Sequence, residues 1–142
     1  MKRLAFVLPL VLLAVACGGT KQSSVPEIAI LKGIDVHARS IDFDFKSAPR
    51  AVSAAYDRRP LVSCGSGFVV PLRGRVHLVI RFQLAQTDFA FGADRRLPGQ
   101  GSFLELAKVC DFESDLAWAI GFDKQQAYRI ERHGSRVTLE LT

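Results

Sequence analysis

The stretch from Lys108 to Asp123, KVCDFESDLAWAIGFD, decides how the chain folds. It holds the only tryptophan, one of three cysteines, and two carboxylates flanking a phenylalanine. Leu116, Trp118, Ile120 and Phe122 recur at every second position. That period puts them on one face of a β-strand, and a tryptophan in phase with them belongs between two packed sheets. Asp111 and Glu113 lie just before this run. Two residues apart, they share a face only if the segment is already extended, and they are then polar groups at the start of the strand.

The same period recurs along the chain. SIDFDFK alternates Ile41, Phe43 and Phe45 with polar residues, and RVHLVIRFQL does so with Val76, Leu78, Ile80, Phe82 and Leu84. YRIERHGSRVTLELT is two alternating runs joined around His133-Gly134-Ser135, the pattern of a hairpin. Further strands are expected over Ile28–Val36, Val52–Tyr56, Phe68–Val70 and Phe103–Val109, separated by Pro60, Pro71, Gly74 and Pro98-Gly99. No amphipathic stretch of helical length competes. About nine short antiparallel strands predict an all-β single domain, either a two-sheet β-sandwich or a barrel. One long irregular piece is expected from Ala85 to Ser102, the kind of loop that is functional or disordered.

The first residues, MKRLAFVLPLVLLAVACGG, have the pattern of an export signal over 1–16, with Lys2 and Arg3 ahead of an apolar run from Leu4 to Ala16. That run is shorter than the roughly 20 residues needed to span a bilayer. Cys17, after Ala14-Val15-Ala16 and before Gly18-Gly19, resembles the lipobox of bacterial lipoproteins, although Ala14 stands where those motifs usually have leucine. The resemblance implies lipidation of Cys17 and anchoring on the outer face of the cytoplasmic membrane after general export. The alternative is ordinary cleavage after Ala16, which would leave an exposed thiol in an oxidising compartment. Residues 17–27 are polar and rich in Gly and Ser, a tether, and the domain is expected over 28–142. Loss of Lys2 and Arg3 lowers the formal charge from +5 to +3. That balance favours anionic envelope surfaces and is too small to indicate nucleic-acid binding.

With Cys17 lipidated, Cys64 and Cys110 remain as a pair, and in an exported protein the expectation is a disulfide. The rival role, a nucleophilic Cys64 in the SCGSG loop, lacks a recognisable partner among His37, His77 and His133. Those histidines show no clustered zinc-ligand spacing, so no metal or other cofactor is expected. Asp42 and Asp44 share a strand face, as a carboxylate pair for acid–base or calcium chemistry would. Inward Ile41, Phe43 and Phe45 already explain the pattern, however, and a solvated polar face is the expectation. CGSG lacks the spacing and the strand-to-helix setting of a serine elbow. The candidate binding surface is Arg58, Arg59, Phe89, Phe91, Arg95 and Arg96, two basic loop sites with aromatics beside the second. It becomes one surface only if the fold joins them.

From Arg39 to Thr142 the order of segments resembles the AMIN-like domain of exported actinobacterial lipoproteins. RSIDFDF, AVSAAYDR, SCGSGFVVPLRGRVHLVIRFQ and GSFLELAKVCDFESDLAWAIGFD carry the likeness, closed by YRIERHGSRVTLELT. The family usually has glycine where this chain has Ser114 and leucine where it has Phe122, and the two cysteines are not a general feature of it. The resemblance implies a noncatalytic domain that contacts cell-wall polymer or another envelope protein, and it supplies no catalytic residue. The competing class is an envelope hydrolase working through Cys64 or through Asp111 and Glu113. A plainer third reading is a structural lipoprotein with a protein partner and no ligand.

Overall fold

The structure is a computed structural model that describes residues 25–88 and 96–142. Among these residues ten strands form: β1 (Ala29–Val36), β2 (Ser40–Phe45), β3 (Ala51–Asp57), β4 (Val76–Gln83), β5 (Ala85–Thr87), β6 (Arg96–Pro98), β7 (Glu105–Phe112), β8 (Asp115–Phe122), β9 (Tyr128–His133) and β10 (Arg136–Leu141). They build two five-stranded sheets, ordered β5-β1-β2-β10-β9 and β3-β4-β8-β7-β6. The described residues contain no helix. Neither sheet closes on itself, so of the two architectures expected the molecule is the β-sandwich.

Alternation places the core. Ile41, Phe43 and Phe45 of β2 and Val137, Leu139 and Leu141 of β10 face Leu78, Ile80 and Phe82 of β4 and Leu116, Trp118, Ile120 and Phe122 of β8, all buried. Phe82 sits between Phe43 and Phe45, each pair of ring centroids 5.0 Å apart and tilted, an arrangement that suits the ring quadrupoles. The buried residues of this core, from Ala29 to Leu141, pack on one another in a single cluster that lets residues 25–142 fold as a unit.

One departure from alternation shapes the surface. β8 is buried on both faces, because the outer side of its sheet is covered by the segment 58–75. Leu61, Val70 and Leu72 of that segment pack on Val79, Val109, Cys110, Ala117 and Ala119, a small second core outside the sandwich. The small residues of AWAIG are what let the segment lie close. A Cβ at Gly121 would overlap the carbonyl oxygen of Arg73, and one at Gly74, whose φ is +119°, would stand 2.7 Å from the Phe122 nitrogen.

Three expectations need correcting. Phe68–Val70 forms no strand; only Val69 makes an isolated bridge, to Val62, within the 58–75 segment. The piece from Ala85 to Ser102 is not irregular at its ends, which supply β5 and β6. Nor is the sandwich wholly antiparallel, since β5 pairs with β1 in parallel, Ala29 opposite Ala85. β5 owes its existence to a partner distant in sequence, β1, and β6 to the strand that follows it, β7.

Candidate functional site

A concavity lies on the outer face of the β3-β4-β8-β7-β6 sheet. It is an open groove of about 780 Å³ between the outward side chains of β3 and β4 and the first limb of the 58–75 segment. Its floor is of small side chains, Ser53, Ala55 and Val79; Leu61 and Val62 form an apolar far wall, and Arg59 and Arg81 stand at the rim. Register explains the floor. Ala55 pairs with Val79 and Ser53 with Arg81, all facing away from the core because Ala54, Ile80 and Phe82 face into it.

The rim charges are partnered. Arg59 donates from its backbone and from its guanidinium to Asp57, at 2.9 to 3.1 Å. Those hydrogen bonds hold the Asp57 carboxyl below its ordinary value and lift the Arg59 guanidinium above its own. Arg81 is ion-paired with Asp115 across to β8. Arg96, on β6, pairs with Glu105 at 3.3 Å and donates to the carbonyl of Pro71.

Of the six residues expected to form the binding surface, Phe89, Phe91 and Arg95 lie outside the described residues, as does Cys17. Arg58 and Arg59 follow β3, and Arg96 begins β6, the two opposite edges of one sheet. Three strands lie between them, about 19 Å at the usual strand spacing. Arg58 and Arg59 thus stand apart from Arg96, and the groove brings Arg59 together with Arg81. Arg81 was missed because nothing in RVHLVIRFQL marks one outward position from the others.

Cys64 and Cys110 are joined in a disulfide with their Cα atoms 5.1 Å apart, as the even pair led one to expect. Cys64 therefore offers no thiol nucleophile. Asp111 and Glu113 are also separated in role. A bulge between Lys108 and Cys110 resets the pleat so that Lys108 and Asp111 both point to the inner side, opposite Trp118 and Leu116. Lys108 Nζ then donates to Asp111 Oδ2 at 2.8 Å and lies 3.4 Å from Thr87 Oγ1, while the Thr87 amide donates to Asp111. This cluster ties β7 to β5 of the other sheet. Glu113 instead occupies the turn to β8. Asp42 and Asp44 also have partners: Thr138 donates to Asp42 at 2.6 Å, and Arg136 clasps Asp44 at 2.7 Å. Among the described residues no three His, Cys, Asp or Glu side chains gather as metal ligands.

Fold and surface together define a class, a two-sheet β-sandwich whose open groove lies on the outside of one sheet. The AMIN-like domain family matches residues 40–141, and the chain belongs to that family. Membership points to a noncatalytic, envelope-related binding domain. No curated protein and no solved structure matches the chain.

Proposed function

We propose that the chain is an envelope lipoprotein, exported through a signal at 1–16 and anchored by a lipid on Cys17. Residues 17–27 tether a noncatalytic domain, 28–142, that binds cell-wall polymer or another envelope protein. The observation that carries the binding role is the groove beside β3 and β4, with a floor of small side chains, an apolar wall and arginines at its rim. Such a site suits an extended ligand with apolar faces and anionic or hydroxyl groups, since guanidiniums bind oxyanions with directional hydrogen bonds. Loss of the Cys64 thiol to the disulfide weighs against the thiol hydrolase.

Two measurements test this reading. Mass spectrometry of the membrane-extracted protein reports the lipid on Cys17. Co-sedimentation with purified cell wall should be strong at low salt and weaken as salt rises, because exposed charge contacts are screened over about 10 Å at 0.1 M. Arg81→Ala should reduce it. A chain that stays in the supernatant at low salt, and captures no envelope protein, would end the proposal.

A further inference from the structure

The segment 58–75, RRPLVSCGSGFVVPLRGR, has four arginines and no carboxylate. It supplies +4 of the chain's formal +5. Folded over the outer face of its sheet, it forms a ridge. The strands beneath present Asp57, Glu105 and Asp115 outward, and each is taken by an arginine: Arg59, Arg96 and Arg81. Arg58, Arg73 and Arg75 are exposed, with no ion pair among the described residues. The opposite face has the other sign. Asp35, Asp42, Asp44, Glu131 and Glu140 lie outward on β1, β2, β9 and β10, against Lys32, Arg129 and Arg136.

Between its arginines the ridge exposes apolar side chains. Phe68 is 75% exposed, Val69 64% and Val62 50%, and Val62 bridges Val69 across the crest. The ridge is tightly held. The Cys64–Cys110 disulfide, the Cys64 amide on the Val109 carbonyl at 3.0 Å and the Val70 amide on the Leu61 carbonyl at 2.8 Å fix it to the sheet and to itself. A rigid apolar crest loses little freedom on docking, and a contiguous exposed apolar patch marks an interaction surface.

We infer that this ridge docks on an anionic phospholipid bilayer. Phe68, Val69 and Val62 enter the boundary between headgroups and acyl chains, and Arg58, Arg73 and Arg75 meet the lipid phosphates. A hydrated sugar polymer would match the charge but leave the crest without a partner; a bilayer supplies both layers in order. The chain outside the structure fits the same occupant. With the lipid on Cys17 as proposed above, only residues 18–24 separate the anchor from the described part, a span of at most roughly 28 Å. The groove lies beside the ridge on the same face, at the β3 edge of the sheet. Phe112, though exposed, is left out of the contact because the Glu113 carboxylate follows it.

The test uses residues 25–142, disulfide intact, so that no lipid or apolar leader contributes. Sedimentation is measured with vesicles of phosphatidylglycerol and phosphatidylcholine in equal parts, and with phosphatidylcholine alone. The domain should pellet with the first, less so as salt rises, and far less with the second. Phe68→Ser with Val69→Ser should weaken partition about tenfold or more. Changing Arg58, Arg73 and Arg75 to Ala should weaken it about a hundredfold, at roughly fivefold for each arginine. All five side chains are exposed, and circular dichroism checks that the variants keep the sheet signal. No pelleting with anionic vesicles, or pelleting unchanged in both variants, overturns the inference. Pelleting with purified cell wall but not with vesicles also overturns it while leaving the polymer reading intact.

Discussion

Glu113 and Ser114 have φ of +51° and +62°, the two positive values of a type I′ turn, and they join β7 to β8 with Phe112 opposite Asp115. L-residues other than Gly, Asn and Asp are unfavourable there, because Cβ crowds the carbonyl oxygen. A glycine at the second position would be free of that crowding, and Ser114 is not. Ser114→Gly should therefore raise stability by about 0.5–1 kcal/mol, net of the added freedom of the unfolded chain, seen as a higher melting temperature. The opposite change tests the ridge. Gly121→Ala would set a methyl group into the Arg73 carbonyl, so the ridge or the strand must move, and the domain should lose about 3 kcal/mol in denaturant unfolding. Sequence alone marks Gly121 as one more small residue in an alternating run. The requirement for glycine comes from a backbone some 50 positions earlier lying on top of it.

At the scale of elements, the long strands were legible and the ridge was not, for one physical reason. A period of two records which face of a strand meets the main core, bulky apolar residues alternating with polar or small ones, so β2, β4, β8 and the β9–β10 hairpin showed themselves directly. The small outward residues of β8 gave no sign that they too are covered. β5 and β6, three residues each, are too short to carry a period and exist through pairing with β1 and β7. FVV at Phe68–Val70 carried the right composition for a strand, but its first two residues lie exposed on a crest outside the sandwich. The even cysteine pair was informative, and it gives the ridge its hold. Closing a loop across a separation of 46 residues contributes about 4 kcal/mol in the chain-entropy model. Cys64→Ser with Cys110→Ser should lose about that much. Protease cleavage should then begin within 58–75, while the buried Trp118 keeps its native fluorescence, because the main core lies on the other face of the sheet.

Across the whole molecule, the two sheets are tied together at both open sides, and each tie can be tested. On one side Lys108, Asp111 and Thr87 link β7 to β5. On the other, the edge strands β3 and β9 are joined by tyrosines. Tyr128 donates to the Ala54 carbonyl at 2.6 Å, while Tyr56 donates to the Gln126 carbonyl at 2.8 Å and accepts from the Gln126 amide. Burial pushes the Tyr56 hydroxyl above its ordinary value of 10.0; the Gln126 amide pulls it partly back, and Tyr128 adds to the rise. A tyrosine is neutral when protonated, so the raised value means that the folded state holds this proton more firmly than the unfolded one. Its contribution is complete below the unfolded value near 10 and falls away as pH rises through the higher folded value. Stability measured by denaturant should accordingly be flat with respect to Tyr56 at neutral pH and decline above about pH 10. Tyr56→Phe loses two hydrogen bonds and should cost roughly 1–2 kcal/mol at pH 7, yet its alkaline decline should be shallower than that of the parent. A variant with an unchanged alkaline slope would mean that the edges are closed by packing of the rings, with Tyr56 6.0 Å from Tyr128 and 6.1 Å from Phe122, and not by the hydroxyl.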